Sequence, residues 1–301
     1  MKNKITIVGI NFWPEDTAIG LYTYQLANFY REQGLEVNVI TGFPYYPEWR
    51  INSEYRSKKT YYEESINGIK IYRFKQYVPK KPIFFKRILH LLHFTLGSFI
   101  NLFKIKKTDV VLCVVPFIGC VLIGKFLAKL KGAKLWVHIQ DFEFDAVRDS
   151  NLVDEKTDKN IIFRILFYVE SKLLNSADLL STISFSMLKK LKGKTKIKIE
   201  KKLLPNWVDQ NFIVQEGHKK HSYLKSDKFK ILYSGNIGEK QDWDFFIKFA
   251  KELEKEKDVQ IIVVGNGSKR YWLEEKLLDL ENIWFYNPVA YSELSDLLCS
   301  A

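Results

Sequence analysis

Short apolar runs that alternate with stretches of helical periodicity limit what this chain can fold into. Residues 5–10 (ITIVGI) form such a run. Tyr22, Leu26, Phe29 and Tyr30 then recur at the spacing of one helix face, Gly34 ends that helix, and residues 36–41 form the next run. Further runs at 69–74, 110–115, 134–139 and 178–182 have helical patterns between most of them. Such alternation predicts an α/β fold in which helical crossovers cover both faces of a parallel, doubly wound sheet.

A break follows at Leu204-Pro205-Asn206-Trp207-Val208-Asp209, which leads into a polar, Lys- and His-rich stretch over 215–228. A second alternation then begins: a strand at 230–234, a helix over 243–256, a strand at 260–264, a helix over 268–280, a strand at 283–286 and a short helix from Tyr291. The expected division is a first Rossmann-like domain over 1–210, a linker over 211–228 and a second domain over 229–301. Three strands leave a doubly wound domain with an unpaired edge, so the second domain is expected to be incomplete.

Lys and Arg outnumber Asp and Glu by 47 to 35, a formal net charge of +12. That excess calls for an anionic partner: a phosphate-bearing substrate, a membrane surface or nucleic acid. The lysines are dispersed rather than striped and no nucleic-acid module is recognisable, so nucleic acid is not expected. The three cysteines, Cys113, Cys120 and Cys299, form no CxxC pair. They are expected to be free thiols of a reducing compartment. The N-terminus lacks a signal-peptide pattern and reads as a first strand, which predicts a cytoplasmic protein. Lys80-Lys81 and Lys86-Arg87 precede an apolar stretch over 88–103, and Lys104, Lys106 and Lys107 follow it. The stretch is too short and polar to span a bilayer. It is either a helix packed on the sheet or a helix lying on the inner membrane surface through segment 80–107.

Six segments in order give a sharper reading. They are GINFWPE (9–15) with Ile19-Gly20, PYYPEW (44–49), HIQDFE (138–143), STIS (181–184), LPNWVD (204–209) and YSGNIGEKQ (233–241). Together they resemble the retaining glycosyltransferases of family 4, in the bacterial exopolysaccharide and O-antigen branch that includes colanic-acid-type enzymes. The resemblance implies the GT-B fold, two facing Rossmann-like domains. Family members continue beyond the equivalent of Ala301 with a pair of glutamates and a final helix, so it also implies a C-terminally truncated chain.

Candidate site residues lie at strand ends, where parallel sheets bind ligands. Gly20, near the start of the first helix, either brings backbone N–H groups to a donor phosphate or only relieves crowding. The dinucleotide signature GxGxxG is absent, which argues against an ordinary NAD site. His138 and Gln140 share a face at the end of their strand. Many family members carry His-Asp where this chain has Gln140-Asp141. The resemblance implies catalytic roles for His138, Gln140 and Asp141, the last as a carboxylate orienting the acceptor. Glu143 and Asp145 either share that work or are solvated. Gly235 and Asn236 form a sharp turn, and Lys240 is read as opening the next helix. By resemblance these bind the donor diphosphate, for which a lysine is a suitable point charge. Gly265, Gly267 and Arg270 form a second strand–glycine–helix turn, expected around the nucleotide.

The implied activity is transfer of a sugar from a nucleoside diphosphate sugar, with retention, to a glycan on polyprenyl diphosphate. No metal or other cofactor is expected, and the enzyme would sit peripherally on the inner membrane face. The alternative is a catalytically incomplete homologue or a membrane-associated partner protein that needs another chain.

Overall fold

The computed structural model describes residues 3–16, 18–81, 83–142, 145, 159–208, 212–213, 217, 219–239 and 241–301, with backbone only for 84 and 159–163. The chain divides into two compact units, Met1–Asn206 and Trp207–Ala301.

Unit 1 is built on eight strands: β1 (Lys4–Val8), β2 (Glu36–Gly42), β3 (Tyr61–Ile66), β4 (Ile69–Phe74), β5 (Val110–Val115), β6 (Lys134–Ile139), β7 (Leu179–Thr182) and β8 (Glu200–Leu203). They pair in the order β3-β4-β2-β1-β5-β6-β7-β8. All neighbours are parallel except the β3–β4 hairpin. The chain leaves β1 toward β2 on one side and returns to β5 on the other, so the strand order reverses at β1/β5. A crevice opens at the carboxyl ends of strands at such a point. The central strands are apolar along their length and fully buried, as with Ile7, Val39, Leu112 and Val137.

The expected strands at 69–74, 110–115 and 134–139 coincide with β4, β5 and β6, whereas β1 ends at Val8, two residues early. The uniformly parallel sheet is corrected at one edge. Asn67 and Gly68 both take positive φ, +49° and +78°, the geometry of a two-residue hairpin turn that Asn-Gly favours, and it folds β3 back antiparallel on β4. The other edge strand, β8, reads Glu-Lys-Lys-Leu and was hidden by its polarity.

Helices α1 (Ala18–Glu32), α2 (Phe84–Ser98), α3 (Gly119–Lys131), α4 (Lys159–Leu174) and α5 (Phe185–Lys194) accompany the sheet. Helix α2 and the 3-10 turn Phe99–Lys104 that follows it are inverted relative to an ordinary amphipathic packing. His90, Thr95, Ser98 and Asn101 are buried beside Phe94, while Phe85, Leu89, Leu92, Leu96, Ile100 and Phe103 are exposed. One face of segment 80–107 therefore packs inward, and the other leaves apolar side chains exposed. No helix among the described residues is long and apolar enough to cross a membrane. None of the three cysteines is in a disulfide, and Cys113 and Cys120 are buried.

Unit 2 carries three parallel strands, β9 (Phe229–Ser234), β10 (Val259–Val264) and β11 (Ile283–Tyr286), in the order β11-β10-β9. Helices α6 (Trp243–Leu253), α7 (Arg270–Lys276) and α8 (Leu294–Cys299) complete it. Helices α6 and α7 stop short of the expected 256 and 280. Part of the stretch read as a linker belongs to this unit's core. Leu224 is fully buried with Ile262, Val264 and Leu297, Tyr223 stacks on Tyr286 at 4.0 Å, and the His221 backbone N–H donates to Ser300 Oγ at 2.8 Å. Leu224→Ala should therefore destabilise unit 2 by about 2–5 kcal/mol, as a core deletion does. A linker position would change by less than about 0.5 kcal/mol, and urea unfolding followed by tryptophan fluorescence separates the two.

Candidate functional site

In unit 1, Glu15 ties the loop after β1 to the loop after β2. Its Oε1 accepts the backbone N–H groups of Tyr45 at 2.8 Å and Tyr46 at 2.9 Å, and its Oε2 accepts Asn11 Nδ2 at 2.8 Å. The side chain is 4% exposed. Burial pushes its carboxyl up to about 7, against the downward pull of those three donors and of Arg73. Gly20 is buried in α1, where a Cβ would stand 2.7 Å from both the Cβ and the carbonyl oxygen of Glu15. Its lack of a side chain is thus required by close approach to Glu15.

Beneath the two loops lies Arg73, fully buried in β4. It donates to Glu64, to the carbonyl of Trp13 and, at 3.0 Å, to that of Gly42. Gln76 mimics a peptide beside it, accepting the Phe43 N–H at 2.7 Å and donating to the Phe43 carbonyl at 2.8 Å. Sequence reading did not single out Glu15, Arg73 or Gln76 as site residues. The one available signal was that Glu15 and Tyr45-Tyr46 fall inside two of the quoted motifs.

At the end of β6, His138 is 1% exposed. Gln140 Nε2 lies 2.9 Å from its Nε2, and Ser181 Oγ lies 2.9 Å from its Nδ1. As placed, the Gln140 amide donates to Nε2, and Nδ1–H donates to Ser181 Oγ, which also accepts the Trp136 indole N–H at 2.7 Å. Burial lowers the imidazole to about 4, so it is neutral at pH 7. His138 thus holds the half-buried Gln140 rather than facing solvent, and Asp141 follows, also half-buried. Glu143 lies outside the described residues. Asp145 is not solvated. It is buried and ion-paired to Lys190 at 2.8 Å and Lys194 at 2.6 Å. Burial would raise its pKa, and the two lysines bring it below the ordinary value.

In unit 2 the two glycine turns interlock at the carboxyl ends of β9 and β10. Ile237 N–H donates to the Asn266 carbonyl at 2.9 Å, and Lys269 N–H donates to the Ile237 carbonyl at 3.0 Å. A Cβ on Gly265 would lie 1.9 Å from the Gly235 carbonyl oxygen, and one on Gly267 would lie 2.2 Å from that of Ile237. Gly235 and Asn236 are exposed. Arg270 turns inward, donating to the carbonyls of Gly265 and Tyr286 and, at 2.8 Å, to Glu274. It fastens the turn from beneath. Helix α6 opens at Trp243, as the helical pattern over 243–256 predicts and three positions after Lys240, and the Asp242 carboxylate caps it by accepting the Phe245 N–H at 3.0 Å. Lys240 lies outside the described residues.

Glu15 and His138 give unit 1 two opposed pH dependences. Between its ordinary 4.5 and about 7, Glu15 binds its proton more tightly in the folded chain, so rising pH costs stability, about 3 kcal/mol in all. Between its ordinary 6.5 and about 4, His138 is protonated only in the unfolded chain, so falling pH costs about as much. The slopes oppose each other between about 4.5 and 6.5. Relative to the parent chain, Glu15→Gln should lose stability as pH falls through that window, and His138→Asn should lose it as pH rises. Urea unfolding at three pH values reads both slopes.

No protein-family model matches the chain. It is 35% identical, over 98% of its length and 74% of the relative's, to WcaI of Escherichia coli (strain K12), named as a colanic acid biosynthesis glycosyl transferase. Among solved structures, sucrose-phosphate synthase from Thermosynechococcus elongatus matches 100% of this chain and 74% of its own, with a TM-score of 0.70 and 13% identity. Anabaena HepE in complex with UDP and glucose matches 99% of this chain and 72% of its own, with a TM-score of 0.63 and 12% identity. At such identities these two establish the fold, GT-B, while the likeness to WcaI spans nearly every residue described above. The chain therefore belongs to the family 4 glycosyltransferases of the colanic-acid type.

Proposed function

We propose that this chain moves a sugar from a nucleoside diphosphate sugar to a glycan acceptor carried on polyprenyl diphosphate, with retention at the anomeric carbon, in exopolysaccharide or O-antigen synthesis. The observation that carries this reading is the interlocked pair of glycine turns in unit 2. They present exposed backbone at Gly235 and Asn236 on a base that admits no side chain at Gly265 or Gly267. Such a turn lets backbone approach a diphosphate closely. A protein of the same fold, HepE, has been solved with UDP-glucose.

In this reading, departure of the nucleoside diphosphate is the step that needs electrostatic help. Asp242 already caps α6, so that help falls to Lys240 and to the backbone of the turn. Arg270 keeps the nucleotide-side turn of Gly265 and Gly267 in shape and does not itself reach the ligand. No metal is required where a lysine and oriented peptide dipoles meet the developing charge. In unit 1, Asp141 orients the acceptor hydroxyl. Gln140, held by His138, stands where family members place a histidine beside the donor sugar. Titration of UDP and GDP should give millimolar or tighter binding to one of them, weakened about tenfold by Lys240→Ala, the loss of one charge-assisted contact. Binding of neither nucleotide would sink the assignment.

The chain works, we infer, on the inner face of the cell membrane. The outward apolar residues of α2 and its 3-10 extension lie among Lys81, Lys86, Lys104, Lys106 and Lys107. Apolar side chains entering the interface beside lysines drawn to anionic lipid make a surface-lying helix. Flotation with phosphatidylglycerol-containing vesicles should carry the chain upward, and vesicles of phosphatidylcholine alone should carry less. Leu89→Glu with Leu96→Glu should leave it at the bottom of the gradient. Equal flotation of the variant would place the contact elsewhere.

A further inference from the structure

The two loops that Glu15 ties together enclose a cleft of about 460 Å³, within the roughly 300–1,000 Å³ of small-molecule sites. We propose that this cleft binds the glycosyl diphosphate portion of the acceptor, with the diphosphate on Arg50 and Arg56 and the sugar against Tyr46 and Asp16. This deepens the acceptor half of the proposed function and rests on it.

The cleft is a built feature. The buried Glu15 lines it, together with Pro14, Pro44 and Pro47, whose fixed φ stiffens both loops. Trp13 stacks on Tyr24 at 4.8 Å behind one wall, and Tyr45 packs edge-on against Trp49 at 5.4 Å behind the other. A ligand would thus meet a surface already ordered, with little entropy left to lose.

The chemistry of the rim is divided. Arg50 is exposed and makes no ion pair among the described residues. Arg56 uses its Nε on the Ile51 carbonyl at 3.1 Å, which leaves the terminal nitrogens of its guanidinium for a ligand. Two guanidinium forks at one rim suit phosphate oxygens, which they grip in pairs. Asp16 and Glu48 also line the cleft, and Tyr46 is 40% exposed. Carboxylates repel a bare anion and accept hydrogen bonds from sugar hydroxyls, while an aromatic face suits a sugar ring. A molecule with an anionic end and a hydroxyl-rich end satisfies both halves, and a simple phosphate or a neutral sugar satisfies one.

The position of the cleft fits the same ligand. Its second loop rests on α2, where Tyr45 and Trp49 pack on His90 at 4.7 Å and 5.6 Å, and Arg87 lies over Trp49 at 5.0 Å. Helix α2 is the element with the outward apolar face. A diphosphate whose lipid tail remains in the bilayer would come to a site built against that helix.

The test is calorimetric titration of the full chain with a soluble probe, a glucosyl diphosphate capped by a hexyl chain. The expected result is saturable binding, at least tenfold weaker for hexyl glucoside, at least tenfold weaker for the Arg50→Ala/Arg56→Ala chain, and not displaced by saturating UDP. Arg50→Lys/Arg56→Lys, which keeps the charge and loses the fork, should fall between, and thermal melting checks that both variants fold. Absence of saturable binding, equal affinity in the alanine variant, or displacement by UDP would each overturn the assignment. UDP titrated separately into the parent chain keeps the readings apart. Its failure would remove the donor site and leave this result standing, whereas loss of probe binding with UDP bound would remove the acceptor cleft alone.

Discussion

One buried carboxylate organises the working end of unit 1. Glu15 has no side-chain cation within hydrogen-bonding distance among the described residues, and instead takes two peptide N–H groups and one amide. A buried carboxylate without a direct ion pair is costly, and the rise of its pKa to about 7 records that cost. What the chain gains is a fixed relation between two loops that are about thirty residues apart and belong to different βα units. Gly20 follows from the same contact, because the first turn of α1 must close over Glu15. Arg73 and Gln76 perform the matching task below, holding the Trp13, Gly42 and Phe43 backbones. These contacts satisfy buried polar groups that loops would otherwise leave open.

The two units combine rigidity and exposure by different means. Unit 1 uses side chains, on backbone at Glu15, Arg73 and Gln76 and on one another along the line Trp136–Ser181–His138–Gln140. Unit 2 uses backbone on backbone, with the two turns so close that neither Gly265 nor Gly267 admits a Cβ, and Arg270 holding the Gly265 and Tyr286 carbonyls from inside. Substitutions should therefore be felt differently. In unit 1 an isosteric exchange tests hydrogen bonding, and in unit 2 even one methyl group tests the shape of the turn.

What the sequence displays and what it conceals divides along the same line. The central strands were legible because strands buried on both faces carry continuous apolar runs, and β4, β5 and β6 coincide with theirs to the residue. The glycine turns were legible as sharp corners. The β3–β4 hairpin had its signal in Asn67-Gly68, and the alternation of β3, with Glu63 and Ser65 outward, was missed in favour of buried runs. Strand β8 has too little apolar character to stand out. The clamp at Glu15 could not be read, because its partners are main-chain N–H groups whose identity no side chain betrays. His138 was read as a site residue from its place at a strand end and from the family resemblance. Its orientation, and with it the role of holding Gln140, involves Ser181 of the neighbouring strand β7, which Trp136 of its own strand also contacts. Helix α2 could not be assigned a packing face from the sequence, because its buried side carries His90, Thr95 and Ser98 while Leu89, Leu92 and Leu96 are exposed.

The edges of the eight-stranded sheet have one further effect. An open sheet exposes unpaired peptide groups along its outermost strands, and another molecule can add to them. Here β3 presents Glu63, which Lys104 covers at 2.8 Å, and β8 alternates exposed and half-buried positions in Glu-Lys-Lys-Leu, with Lys202 paired to Glu200 at 2.8 Å. Adding a strand on either side would bury charge or displace these pairs. Copies of the chain brought close together are thereby kept from polymerising edge to edge.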